Sequence, residues 1–251
     1  MRENGQDLNL QHQKSKKSTQ IQNLYKCSLC RDTGIILKND DGLQDVYIPC
    51  KCKEIDKIKE KWKASGINVE QSRQSFGNYK CYNDITKLCK NTAIQYYKNF
   101  DSIKDKRENS IAFLGQVGSG KTHLSIAIAV NLLENKKIPV LYMPYRDVIT
   151  SIKQNMLDRE YYVKQLGRYQ KAKVLIIDDL FKGKVTESDV NILFELINYR
   201  YLNCLPSIIS SEFTAEEILN FDEGVGSRIL EMCEDYTVEI HGKENNYRIT
   251  N

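Results

Sequence analysis

Five short apolar runs punctuate the chain from residue 111 onward: IAFLG at 111–115, PVLYM at 139–143, AKVLIID at 172–178, PSIISS at 206–211 and YTVEI at 236–240. Continuous apolar runs of this length, rich in β-branched residues, predict strands buried on both sides. The segments between them have helical character. Lys121 to about Glu134 follows the first run, and Tyr145 to Leu157 and roughly 160–170 follow the second. An amphipathic stretch at 186–202, ESDVNILFELINYRYL with its preceding Thr, follows the third. Strand and helix in alternation predict an α/β fold, a parallel sheet covered by helices on both faces.

The front of the chain is patterned differently. Its first 22 residues carry isolated apolar side chains among Gln, Lys, Asn and Ser, too few to bury, and predict a disordered arm. A cysteine-bearing segment occupies 23–52. In KCKEIDKIKEKWKASG, Ile55, Ile58 and Trp62 recur at spacings of three and four, giving a charged helix one apolar face, and Gly66 supplies its stop. The predicted organisation is an arm at 1–22, a cysteine module at 23–52, a helical linker at 53–75 and a main domain at 76–251.

With 251 residues, 41% of them hydrophobic and 28% charged, the chain is long enough for one full core and a small accessory module. No run reaches the roughly 18–20 consecutive apolar residues of a membrane span, and the N-terminus is polar where a signal peptide is apolar. A cytoplasmic protein without membrane attachment is expected. The net charge of +4 hides a division, since residues 1–100 sum to +7 and residues 101–251 to −3. Residues 211–240 carry nine acidic side chains against one basic one, Arg228. Such segregation suits charged macromolecular partners, although ordinary solvated faces also produce it.

GQVGSGKT at 115–122 fits G-x-x-x-x-G-K-[ST], with a predicted strand before it and a helix after it. Gly115, Gln116, Val117, Gly118, Ser119 and Gly120 form the loop whose backbone N–H groups would face the phosphates of ATP. Lys121 adds a point charge near the β and γ phosphates, and Thr122 offers a hydroxyl to Mg2+. A second set of oxygens is expected at the end of a neighbouring apolar strand. VLIIDD supplies it, with Asp178 for Mg2+ and Asp179 to orient or deprotonate the attacking water. An acid beside the Mg2+ aspartate favours hydrolysis over transfer to a small acceptor. Arg is also sparse after residue 170, where only Arg200, Arg228 and Arg248 occur, which speaks against a small-molecule kinase with an Arg-rich lid. If one strand lies between the glycine loop and the carboxylates, the polar tip IISSE puts Ser210, Ser211 or Glu212 at the γ phosphate. Arg228 reads either as a neutraliser of its acidic neighbours or as an arginine that enters a neighbouring subunit's ATP site, and Arg248 as a further phosphate contact.

Taken in order, GQVGSGKTHLSIAIA, LIIDDL, IISSE and GSRI resemble the AAA+ ATPases of the DnaC, DnaI and IstB type, which include bacterial and phage helicase loaders. The resemblance spans roughly 64–251. It includes His123-Leu124 after the loop and SGINVEQSRQSFGNY, which is similar to the family's segment beside the adenine. It implies an AAA+ P-loop domain with no helical lid, in keeping with the 11 residues that follow the fifth run. It also implies Lys121, Thr122 and Asp178 on ATP and Mg2+, with Arg228 as arginine finger. One departure concerns the tip of the sensing strand. Many relatives carry Ser-Asn where this chain has Ser211 and Glu212, and an ionised Glu has no proton to donate to a phosphate. Ser211 is the expected substitute.

CSLC and PCKC set Cys27, Cys30, Cys50 and Cys52 as CxxC followed by CxC. Four such thiolates can close a tetrahedral zinc site in a module too small to bury a core of its own. Cys81, Cys89, Cys204 and Cys233 are scattered and read as core or surface residues. The resemblance implies that the zinc module holds the replicative hexameric helicase, that ATPase domains self-associate around ATP, and that single-stranded DNA triggers hydrolysis. The lysines at 51, 53, 57, 59, 61 and 63 would instead permit nucleic-acid binding by the module itself. Candidate DNA contacts in the main domain are Phe181, Lys182 and Lys184, with Tyr145, Arg146 and Lys153 after the second strand. Two other readings fit part of the pattern: an IstB-type transposase helper on duplex DNA, and an ATP-bound zinc adaptor that does not hydrolyse.

Overall fold

The computed structural model describes residues 27–40, 44–50, 52–53, 60, 62–68 and 70–250. The expected arm and most of the lysine-rich stretch lie outside the described residues. The chain divides into two compact units between Ile58 and Lys59. Ile67, only 2% exposed, joins the core of the second unit, so the later part of the stretch expected as a linker packs with the main domain.

The first unit contains a hairpin that the hydrophobic pattern does not announce. Strands β1 (Ile35–Asp40) and β2 (Gln44–Pro49) pair antiparallel, with Ile35 opposite Pro49 and Leu37 opposite Tyr47. Its base is closed by Cys50 N–H donating to Gly34 O at 2.8 Å.

The second unit is built on a five-stranded sheet in the order β4-β5-β6-β3-β7, every pairing parallel. Its strands are β3 (Ile111–Gly115), β4 (Val140–Pro144), β5 (Val174–Leu180), β6 (Ser207–Ser211) and β7 (Thr237–Ile240). These are the five apolar runs. Successive residues of a strand point to opposite faces, and the two faces make two cores. Ile111 and Phe113 meet α1 (Asp84–Ile103) and α2 (Lys121–Glu134) through Tyr96, Phe100, Ile126 and Ile128. Ala112 and Leu114 share the opposite core with α3 (Tyr145–Gln154), α4 (Arg159–Gln170), α5 (Glu187–Leu202), α6 (Ala215–Phe221) and α7 (Glu223–Met232). Three of these helices, α1, α6 and α7, add to the sequence expectation. The first of them is signed by a capping box, in which Asn83 Oδ1 accepts from Thr86 N at 2.9 Å.

Arg200 is fully buried on α5 and is held by carbonyls. Its Nη1 donates to Tyr169 O, Gln170 O and Ala172 O at 3.0, 3.1 and 2.9 Å, and its Nε to Ser207 Oγ at 3.0 Å. The guanidinium therefore satisfies the C-terminal carbonyls of α4 and ties them to the start of β6, at the helix end where a cation is favoured. Arg200→Ala leaves a cavity lined by unpaired acceptors and is expected to cost about 3 kcal/mol. Thermal unfolding would register this as a clear fall in Tm, and an unchanged Tm would contradict the bracing role.

Candidate functional site

The glycine loop runs from the end of β3 into α2, and the backbone approaches it from two directions. Gly115 has φ 92°, and a Cβ there would stand 2.3 Å from Ile240 O. Only glycine allows β7 to come this close, and Gln116 N–H donates to Ile240 O at 2.7 Å. At the other end Tyr247 N–H donates to Gly118 O at 3.1 Å. The segment after β7 thus lies against the loop, and Arg248, exposed, is the next residue along it. Before the domain's first strand, Tyr79 OH donates to Ser119 O at 3.1 Å and its ring meets His123 edge-on. Ser75 O and Asn78 Oδ1 each lie 3.0 Å from His123 Nε2. The segment likened to an adenine neighbour is therefore fastened to the start of α2.

Lys121 is buried, and its ammonium donates to Gly115 O and Gln116 O at 2.7 and 2.6 Å. Burial brings its pKa from 10.5 down to about 8, against the opposing pull of Glu212, Asp179 and Asp178. Phosphate attracts the charged form, so Lys121 is ready below its free pKa and must take up a proton above it. The affinity for an ATP analogue is expected to hold through pH 7.5 and then weaken toward a limiting slope of about tenfold per pH unit above pH 8. Calorimetry across that range checks this, with Lys121→Arg as a control that stays flat.

The carboxylates sit at a bulge. Ile177 pairs with Ile209 and Leu180 with Ser211, so Asp178 and Asp179 together face the single position of Ser210. In a regular strand they would point to opposite faces, but Asp179, at φ 56°, breaks the alternation. Ser210 ties both down: its Oγ donates to Asp178 Oδ1 and accepts from Asp179 N–H, the latter at 3.0 Å. Thr122 Oγ1 also donates to Asp178 Oδ1, at 2.8 Å, joining loop to carboxylate. Tyr142 OH donates to the other oxygen, Oδ2, at 2.7 Å. Thr122 and Asp178 thus place a hydroxyl and a carboxylate side by side at the foot of the loop, an oxygen set that suits Mg2+. As the sequence reading required, β6 lies between β3 and β5.

Several side chains are placed otherwise than the sequence suggests. Ser211 is fully buried and its Oγ donates to Leu180 O at 2.8 Å, so its hydroxyl turns into the sheet rather than toward a phosphate. Phe181 is not a base-stacking residue. Its φ of 64° turns it inward, where it is fully buried and stacks on Phe221 with centroids 4.5 Å apart. Tyr145 is likewise buried, against Phe181. Lys153 is engaged by Asp189 at 2.7 Å, whereas Arg146 and Lys184 remain exposed. Arg228 is half-buried; its guanidinium donates to Asn198 Oδ1 and Gly224 O at 3.1 and 2.7 Å and lies by the rings of Phe194 and Tyr201. It has a fixed seat on α5 and α7, and its hydrogen bonds go to neutral oxygens rather than to the surrounding acids.

In the first unit the four expected ligands converge. The sulfurs of Cys27, Cys30, Cys50 and Cys52 all lie within 4.8 Å of one another, with Cys27–Cys50 at 3.7 Å and Cys30–Cys52 at 3.4 Å. Four Zn–S bonds of about 2.3 Å in a tetrahedron require sulfur separations near 3.8 Å, so the cluster fits zinc. Cys27 to Cys30 is a turn closed by Arg31 N–H on Cys27 O at 2.9 Å, and Gly34 N–H donates to Cys30 Sγ at 3.3 Å. The CxC spacing works because Cys50 ends the hairpin and Cys52 begins a helical turn, with Lys53 N–H on Cys50 O at 3.0 Å.

Three residues stand in the site in roles that sequence reasoning did not give them: Tyr142 and Ser210 on Asp178, and Lys182, expected as a DNA contact, between Asp179 and Glu212. IISSE flagged Ser210 only as one of three alternatives, and Tyr142 carries no motif.

A family model described as "IstB-like ATP binding protein" matches residues 72–250. Among curated proteins, YqaM of Bacillus subtilis (strain 168), itself described as uncharacterized, is 44% identical over 200 residues, or 77% of this chain and 63% of its own length. Phage-like element PBSX protein XkdC of the same strain is 38% identical over 238 residues, covering 90% of this chain and 86% of that protein. Among solved structures, the DnaC helicase loader superposes with a TM-score of 0.60 at 23% identity, over 69% of this chain and all of that one. The second unit has the AAA+ fold of that structure.

Proposed function

The chain belongs to the family of IstB-like ATP-binding proteins, and on that premise we propose that it loads the replicative DNA helicase in the cytoplasm, hydrolysing ATP in response to single-stranded DNA. The observation that carries this reading over a transposase helper is the four-cysteine module in front of an ATPase of the loader fold. The resemblance to helpers of the IstB type implies a different, helical segment in that place.

In this reading the backbone of Gly115 to Gly120 receives the triphosphate, and Lys121 turns its charge to the β and γ phosphates. Thr122 and Asp178 would hold Mg2+, which would neutralise charge on those phosphates. Tyr142 and Ser210 fix the Asp178 carboxylate, so its two oxygens are already oriented. Asp179 orients the water and takes its proton. Arg228, seated on the outer helices, completes the site of a neighbouring subunit, and Arg248 approaches the phosphates from the segment behind Gly118. The zinc module holds the helicase.

Hydrolysis assays with single-stranded and duplex DNA test this. Single-stranded DNA is expected to raise turnover, and Arg228→Ala to lower it without a matching loss of ATP affinity. Stimulation by duplex DNA alone would overturn the loader reading in favour of a transposase helper.

A further inference from the structure

The acid at the tip of β6 is explained by a lysine beyond β5. Lys182 Nζ lies 2.7 Å from Asp179 Oδ2 and 3.3 Å from Glu212 Oε1. Its position is fixed by the chain. Lys182 N–H donates to Asp179 O at 3.0 Å, closing a tight turn in which Asp179 and Phe181 both have positive φ and the Phe181 ring is anchored in the core. Glu212 is fixed from the other side, because its neighbour Ser211 is pinned to Leu180 O and accepts from Phe213 N–H at 3.2 Å. All three charges are partly shielded, with side-chain exposures of 44% for Lys182, 34% for Asp179 and 29% for Glu212. Asp179 N–H donates to Ser210 Oγ, and both Ser210 Oγ and Thr122 Oγ1 donate to Asp178 Oδ1, which ties the group to the foot of the glycine loop.

We propose that Lys182 and Glu212 act as one charge-balanced unit at the tip of β6. Glu212 holds the ammonium against Asp179, and the ammonium cancels the charge that Glu212 would otherwise set against the γ phosphate. Lys182 is thus a positioning residue for Asp179, and its charge lets an acid occupy the strand tip without weakening ATP binding. This inference rests on the ATPase reading above.

The test is a charge cycle on the full-length chain, with affinity for a non-hydrolysable ATP analogue and kcat measured separately. Lys182→Ala is expected to weaken analogue binding roughly three- to tenfold, a modest loss because the pair is partly solvated. Adding Glu212→Gln should restore affinity while leaving kcat low, since Asp179 still lacks its ammonium. Lys182→Arg should retain both. A merely structural lysine would not be rescued by neutralising Glu212. If the double variant binds as weakly as Lys182→Ala, or if Lys182→Ala binds as the native chain does, the inference is overturned. A native chain that neither binds the analogue nor turns over ATP would instead overturn the ATPase reading.

Discussion

Lys121→Ala is expected to reduce ATP turnover by about 10² to 10³-fold, the range for removing a charge aimed at a developing anion in a closed site. The structure supports an effect of this size because the ammonium is buried and its two acceptors, Gly115 O and Gln116 O, belong to the loop itself. Alanine leaves the γ phosphate without that cation and the loop carbonyls without their donor. Zinc content should stay unchanged, because the cysteine cluster lies in the other compact unit. Phosphate release and metal analysis on one preparation check both halves. Retained turnover would remove Lys121 from the chemistry, and lost zinc would mean that the variant fails to fold.

The second large effect concerns the cysteines. Cys30→Ser removes a ligand that also accepts the Gly34 N–H at the hairpin base. Zinc binding in small modules is worth about 10 kcal/mol or more, most of it folding free energy. Zinc per chain should fall to zero, and slow amide exchange across the pairs of β1 and β2 should disappear. Basal ATP turnover should persist, since Thr122, Lys121, Asp178 and Asp179 all sit in the second unit. A chain that keeps its hairpin protection without metal would contradict a zinc-built module.

Much of this was legible in the sequence, for reasons that differ by element. The sheet strands are apolar on both sides, so each shows as a run whatever its neighbours. The run at 172 extends as β5 to Leu180 because a bulge at Asp178 and Asp179 carries the strand past its carboxylates, and no hydrophobic pattern encodes a bulge. Helix α1 was less visible: its buried stripe is Cys89, Ala93, Tyr96, Phe100 and Ile103, small and aromatic residues set among Lys and Asn. The hairpin is short, with Ile35, Leu37 and Tyr47 exposed, so it lacks the inward-outward alternation that marks a strand. The loop, Asp178 and the four cysteines were readable because their spacing is itself the geometry. Lys182 with Glu212, and Tyr142 with Asp178, were not, because β5–β6 and β4–β5 pairing bring them together across long stretches of chain. Phe181 misled because a positive φ reversed the direction its place in a polar loop suggested.

A loader joins zinc module, ATPase and helicase in one assembly, and the decisive measurement is the mass of the complex formed with the host's replicative helicase, with and without ATP. The expected complex requires the intact cysteine cluster, tightens with ATP and comes apart when single-stranded DNA is added. Absence of a complex under every nucleotide condition, with the cysteine cluster fully metallated, would contradict the loader reading.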